Sequence, residues 1–306
     1  MKTVADLSVE IGSISLPNPV ITASGTTGQS DELRKYVDLS QLGAVVVKSL
    51  SPYPWQGNPP PRVHSAGAGM INAVGLQNPG VEAWKKSYLP ALRETGARIV
   101  ASIWGRSVDE YRQAAKQLQG VEGIVALEVN ISCPNLEGRG EMFAHSSELT
   151  RLAIRASAEA NLPIWAKLSP NVTDISKIAF AAIESGAEAL TLSNTLMGMV
   201  IETSTRRPVL GNGGGGVSGP GVRPVAVRSV YEMREKLADF PIIGVGGISK
   251  PEHVIEFIAA GANAIQIGTA HFADPRASKK VLKGLGKWCS KNKITNISTL
   301  IGEAHG

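Results

Sequence analysis

The chain is expected to fold as an α/β protein, a (β/α)8 TIM barrel with an N-terminal hairpin and insertions after strands 2 and 6. Three observations predict this. Eight short apolar runs, most of them rich in β-branched residues, recur along the 306 residues. Longer stretches of helical periodicity separate them. Such alternation points to parallel strands joined by helical crossovers, and eight alternations favour a closed barrel over the alternative, an open doubly wound sheet. Aromatic residues make up only 5% of the chain, so the core must rest on Val, Ile, Leu and Ala, as strands buried on both faces do. One barrel domain, 1–306, accounts for the whole length.

Taken in order, VEIGSISLPN (9–18) reads as a small hairpin covering the base of the barrel. The strands follow as PVITAS (19–24), AVVVKS (44–49), RIVASI (98–103), IVALEVN (124–130), PIWAKL (163–168), EALTLSN (188–194), PIIGVGG (241–247) and AIQIGT (264–269). Helices are expected over 79–94, 107–119, 147–160, 173–186, 222–238, 250–260 and 275–292. Thr173-Asp174 supplies a capping residue ahead of Ile175, Ile178, Ala179 and Ala182 at helical spacing, and Gly186 closes that helix. Pro251 suits the first turn of its helix. Residues 50–78 and 196–220 are too rich in Pro and Gly for helices and read as insertions. In a barrel, both would sit over the C-terminal face, where active sites gather.

Composition narrows the function classes. The net charge of +5 is mild and no basic block stands out, which argues against nucleic acid and leaves a general bias toward anionic ligands. No charge-free stretch reaches the length of a membrane span, and the N-terminus lacks a secretory pattern, so a cytoplasmic protein is expected. Two cysteines, Cys133 and Cys289, far apart, fit a reducing compartment and cannot hold an iron–sulfur cluster alone. The five histidines show no zinc-like spacing, so no metal site is expected.

Chemistry concentrates at the C-terminal ends of the strands. These ends carry Ser24-Gly25, Lys48-Ser49, Asn130, Lys167, Ser193-Asn194-Thr195, Gly246-Gly247 and Gly268-Thr269. Lys48 and Lys167 each interrupt an apolar strand. Either they snorkel to water, or they reach a bound anion or an electron-rich ring; the second suits a buried ammonium better. The glycines after strands 7 and 8 lead into helices and match the usual barrel phosphate site, against the plain alternative of turn glycines. GNGGGG (211–216) matches a dinucleotide fingerprint in letters only, because no βα unit follows it. Cys133 lies among Asn, Ser and Pro and reads as a nucleophile or proton-transfer base, with His145 the nearest histidine in sequence. Cys289 reads as a small buried hydrophobe. Asn72, Asn78, Asn130, Asn135 and Asn194 suit a substrate with ring N–H and C=O edges. For Asn78, ahead of Pro79, a turn is the stronger reading.

The segments NPVITASGT (18–26), VVKSLS (46–51), NAVGLQNPG (72–80), EVNISCPN (128–135), AKLSPNVTDI (166–175), LSNTLMG (192–198), GGVSGP (215–220), GVGGI (244–248) and GTAHFADP (268–275) carry a family resemblance. Together, and in this order, they resemble the catalytic subunit of class 1 dihydroorotate dehydrogenases, in the NAD-linked 1B branch. The resemblance implies an FMN-containing barrel that oxidises dihydroorotate to orotate in pyrimidine biosynthesis. It implies that Cys133 is the base removing a C5 proton while hydride leaves C6, with Lys48 beside the reacting groups. It places substrate contacts on Lys48, Asn72, Ala73, Val74, Gly75, Leu76, Asn130, Asn135, Asn194 and Thr195. It places flavin contacts on Ser24, Lys48, Ser49, Asn130, Lys167, Ser193, Gly219, Gly246, Gly247, Gly268 and Thr269, with Ser102 where relatives usually carry asparagine. It also implies a homodimer core with an electron-transfer subunit bearing FAD and a 2Fe–2S cluster. After Cys133 the loop NLEGRGEMFAHS departs from the common pattern, with Arg139 in place of a lysine's charge. A related flavoenzyme of the dihydropyrimidine dehydrogenase type, acting on uracil or thymine, is the alternative.

Overall fold

The computed structural model describes residues 5–132 and 143–306. Eight parallel strands close into a barrel: Val20–Thr22, Ala44–Val46, Ile99–Ile103, Ile124–Asn130, Ile164–Lys167, Ala189–Leu192, Ile242–Val245 and Ala264–Ile267, numbered 1 to 8 in chain order. Each falls within one of the expected apolar runs. Closure comes from strand 8 pairing with strand 1, Gln266 opposite Ile21, which leaves no exposed sheet edge.

All seven expected helical stretches form helix, with two adjustments. The stretch 79–94 is two helices, Val81–Ser87 and Leu89–Glu94. Pro90 sits in the first turn of the second, and its missing N–H and ring crowding prevent one continuous helix. The stretch 147–160 is α-helical to Ser157 and then tightens into a 3-10 turn, Ala158–Ala160, closed by Asn161 in the left-handed region. Asp174 caps Ile175–Ile183 by accepting from the Ser176 N–H, and Gly186 at φ +103° ends that unit, as expected. Pro251 opens Pro251–Ala259.

The strand–helix alternation fails at one place. Between strands 1 and 2 there is only a 3-10 turn, Leu39–Gln41. The Glu32 carboxylate folds back onto the N–H groups of Gln29 and Ser30, and Asp38 caps the turn through Ser40. Local side-chain bonds of this kind compete with helix, and Gly25 and Gly28 at positive φ add to the effect.

The hairpin Val9–Ile11 and Ile14–Leu16 lies at the base of the barrel. At its tip the Ser13 N–H donates to Glu188, the residue ahead of strand 6, at 2.8 Å. Val9, Ile11 and Leu16 are buried in the main core. At the opposite end the two insertions form one structure. Val63–Ala66 and Gly69–Asn72 from the first pair with Leu196–Gly198 and Gly215–Ser218 from the second, in a four-stranded antiparallel sheet. The register sets Asn72 opposite Gly216 and Ile71 opposite Val217. A small cluster of Ile71, Ala73 and Leu210 anchors this sheet over the strand ends. The run 211–216 makes a turn and the start of one of its strands, and no helix opens within it; the next α-helix is Arg223–Lys236. Among the described residues, no helix is long and apolar enough to cross a membrane. Cys289 is fully buried on Ala277–Asn292, and burial pushes its thiol pKa up.

Candidate active site

A cavity of about 710 Å³ opens between the C-terminal strand ends and the roof made by the insertions. Seven of the eight barrel strands contribute wall residues through their last residue or the turn just beyond: Ser24, Lys48, Asn130, Lys167, Ser193, Gly246 and Gly268 mark them in order. Asn72 through Leu76 from the first insertion face them from the roof, with Gly219 from the second and Asn194 and Thr195 from the turn after strand 6. Every described residue proposed from the resemblance therefore lines one space, except Ser102. Cys133 and Asn135 lie outside the described residues, although their neighbour Ser132 is on the wall.

Ser102 sits behind the wall. Its hydroxyl shares a 2.9 Å hydrogen bond with that of Ser49, which in turn accepts from the Asn130 amide at 3.4 Å. Asn130 is held from its other side: its carbonyl accepts from the Tyr111 hydroxyl at 2.8 Å and its side-chain oxygen from the Ser132 N–H at 3.2 Å. Ser102 thus bonds Ser49 from behind the wall. Asn78 takes the turn reading: its side-chain oxygen accepts from the N–H groups of Ser51 and Gly80, away from the cavity. His145 is exposed and pairs with the Asn171 carbonyl at 3.0 Å.

The two lysines differ. Lys48 is half-buried in the wall, and Gly25 makes room for it: a Cβ at Gly25 would lie 3.1 Å from its Nζ. Lys167 is paired inside the barrel with protein groups, an arrangement that neither expectation for it, snorkelling to water or reaching a ligand, includes. Its ammonium meets Glu128 Oε1 at 3.3 Å, Gln266 Oε1 at 3.2 Å and Ser24 Oγ at 3.3 Å. Glu128, Thr191 and Gln266 are fully buried and went unremarked in the sequence. A signal was there: Glu128 interrupts IVALEVN and Gln266 interrupts AIQIG, both at inward-facing positions.

The turns after strands 7 and 8 are close-packed backbone. Gly246 and Gly247 have φ of +142° and +66°. A Cβ on Gly247 would sit 2.8 Å from both the Gly219 carbonyl oxygen and Arg223 Cβ. Only glycine fits this cradle without displacing backbone. Helix Pro251–Ala259 starts just beyond, so its positive end adds to the local preference for an anion. The Thr269 hydroxyl donates to that of Ser218 at 2.7 Å and ties strand 8 to the roof. Asp274 and Lys280 stand at the rim, where Lys280 and Arg276 hold the Asp274 carboxyl well below the usual carboxylate range.

The roof segment Gly75-Leu76 lies at φ +71° and +62°, an unusual conformation for leucine. Three contacts hold it there. The Trp55 indole N–H donates to the Gly75 carbonyl at 2.9 Å, the Asn78 amide to that of Leu76 at 2.8 Å, and the Asn58 N–H to that of Val74 at 3.1 Å. Trp55 is itself clamped, edge-on to Trp104 at 5.9 Å and beneath the Arg106 guanidinium at 4.8 Å. A cation–π contact of this kind is worth about 0.5–2 kcal/mol. Glu110 binds both Arg106 and the Tyr53 hydroxyl, and burial together with that carboxylate pushes the Tyr53 phenol up to about 12.

A closed parallel barrel with a roofed, polar cavity on its C-terminal face and a glycine cradle after strands 7 and 8 defines a (β/α)8-barrel enzyme. The chain belongs to the dihydroorotate dehydrogenase family, whose sequence model, described as dihydroorotate dehydrogenase, matches residues 6–288. It is similar to proteins named dihydroorotate dehydrogenase B (NAD(+)), catalytic subunit. That of Desulforudis audaxviator is 49% identical over 299 residues, covering 97% of each chain. That of Desulforamulus reducens is 45% identical over 304 residues, covering 98% of this chain and 99% of its own. That of Geobacter metallireducens is 43% identical over 298 residues, covering 97% of each.

Proposed function

We propose that this chain oxidises dihydroorotate to orotate with FMN as its cofactor, and passes the electrons through a partner subunit to NAD. The observation that carries this reading is that one cavity gathers these residues. It joins an anion cradle at Gly246-Gly247 and a buried cation at Lys167 with Lys48 and the amides of Asn72, Asn130 and Asn194. The donor set suits FMN: a glycine turn that a Cβ would fill for the phosphate, and Ser24, Ser49, Lys167 and Ser193 along the walls for the ring system. FMN, when bound, supplies the two-electron acceptor for the substrate's hydride.

The remaining roles fall to the chain itself. The three asparagines present both donors and acceptors, which match the ring N–H and C=O groups of a pyrimidine. Lys48, with its ammonium in the wall, offers a positive charge to an anionic substrate. The roof covers these groups and keeps water from the reacting face. Cys133, next in chain to the wall residue Ser132, takes the C5 proton on its thiolate. The relatives are named as catalytic subunits of NAD-linked enzymes, and this supports a separate electron-transfer subunit; that it carries FAD and a 2Fe–2S cluster and binds a homodimer of this chain is what the family resemblance implies.

Purified protein is expected to be yellow and to release one FMN per chain. Anaerobic mixing with dihydroorotate should bleach the flavin. Cys133→Ala should slow bleaching by about 10²–10⁴, the usual worth of a general base, while orotate still binds. NAD reduction should require the partner. Folded protein without FMN, a Cys133→Ala rate within about threefold of the parent, or fast NAD reduction by this chain alone would each remove the corresponding part of the proposal.

A further inference from the structure

Lys167 and Glu128 form a saturated unit inside the barrel. The ammonium has three hydrogens, and three protein acceptors surround it: Glu128 Oε1, Gln266 Oε1 and Ser24 Oγ, at 3.3, 3.2 and 3.3 Å. Glu128 Oε1 accepts from Lys167. Its Oε2 accepts from the Gln266 amide at 2.5 Å and the Thr191 hydroxyl at 3.3 Å. These groups come from strands 4, 5, 6 and 8 and from the turn after strand 1, so barrel closure fixes their geometry. Of the set, Lys167 and Ser24 reach the cavity wall, while Glu128 is fully buried. The unit is therefore oriented: its positive end borders the cavity and its negative end lies deeper in the dry barrel.

We infer that Glu128 is a positioning residue for the redox chemistry, fixing the Lys167 ammonium at the cavity wall and partly cancelling its charge, so that Glu128 sets how strongly the site favours reduced over oxidised flavin. This rests on the proposed use of FMN. Reduction adds electron density to the ring, and a nearby cation favours the electron-rich form. A carboxylate directly behind that cation weakens the field the ring feels, and in a water-poor interior such a field is poorly screened. Glu128→Gln preserves the shape and an acceptor for Lys167 but removes the counter-charge. It should bias the site toward reduced flavin. A carboxylate that serves stability alone would leave the potential where it is.

The test measures the FMN midpoint potential in the purified holoprotein and in the Glu128→Gln, Lys167→Met and Glu128→Gln/Lys167→Met variants, with flavin content read first. Glu128→Gln should raise the preference for reduced flavin by roughly tenfold, about 30 mV for a two-electron couple. The double variant should lose that gain, because the charge through which Glu128 acts is gone. Should Glu128→Gln fail to fold, Glu128→Asp, which draws the carboxylate back by one methylene, should shift the potential in the same direction by about threefold. A parent protein without FMN overturns both the inference and the reading beneath it. A yellow parent with an unshifted Glu128→Gln variant overturns the inference alone. So does an equal shift in the Lys167→Met background, or, where only the aspartate variant folds, no shift in it.

Discussion

The cradle after strand 7 has a sharp consequence at Gly247. Alanine there faces two obstacles. Its φ of +66° lies in the left-handed region, which costs an L residue about 1–2 kcal/mol. Its Cβ would also lie 2.8 Å from the Gly219 carbonyl oxygen, 2.8 Å from Arg223 Cβ and 3.1 Å from the Arg223 N. None of these is the free end of a flexible side chain, so relief requires backbone movement, and overpacking of this kind costs about 1–3 kcal/mol. The sum is about 2–5 kcal/mol. Gly219 and Gly247 both line the cavity, so the relieving movement opens the cradle itself. If half the cost falls on ligand binding, FMN affinity drops by about 5- to 60-fold, at tenfold for each 1.4 kcal/mol. Gly221→Ala is the control: its Cβ would meet nothing within 4 Å, its φ is not positive, and it does not line the cavity. Fluorescence titration of flavin-stripped protein with FMN reads both variants. A Gly247→Ala affinity within about threefold of the parent, or an equal loss in Gly221→Ala, would refute the steric reasoning.

Two further outcomes concern stability. His271 is 4% exposed, and among the described residues neither ring nitrogen has a hydrogen-bond partner. Burial pushes its pKa down to about 4, with nearby Gly268 and Ile267 backbone only partly offsetting this. Because the folded pKa is depressed below the ordinary imidazole value of 6.5, the unfolded chain binds the proton more readily. The contribution is whole above about pH 6.5, falls as pH drops toward 4 and is lost below that, about 3 kcal/mol in all. Urea unfolding across pH 4–7 should show this slope, and His271→Phe should flatten it; an unchanged slope would remove the assignment. On helix Ala277–Asn292, Gly286 has nothing within 4 Å of an added Cβ, whereas at Gly284 it would meet Pro251 Cγ. Gly286→Ala should therefore stabilise by about 0.5–1 kcal/mol and Gly284→Ala should destabilise, both read by thermal unfolding.

Much of this architecture was written locally. Runs such as AVVVKS and IVALEVN are strands because β-branched residues buried on both faces leave no helical stripe. The polar and glycine residues that interrupt or follow them mark the C-terminal face, because in a parallel barrel every strand ends on the same side. That is why Lys48, Asn130, Asn194 and the paired glycines were legible as one site before any contact was known. Cofactor and reaction were another matter: they came from the resemblance carried by segments such as EVNISCPN, not from periodicity.

Tertiary structure decided what depends on partners distant in sequence. Residues 50–78 and 196–220 read only as long loops, yet Asn72 pairs with Gly216 in one roof sheet. Their ladder is set by the barrel bringing strands 2 and 6 to a common rim, and no local pattern encodes it. Ser102 looked like a cavity residue, but its depth follows from Ser49 standing in front of it. The lysine in PIWAKL announced a buried charge without saying what compensates it. Alternation along strand 4 points Glu128 inward, but only closure of strand 8 against strand 1 brings Gln266 to the same spot and completes the charge pair. Strand identity is a property of a few neighbouring residues. Charge compensation, depth and loop pairing are properties of the closed barrel, and they exist only once it has closed.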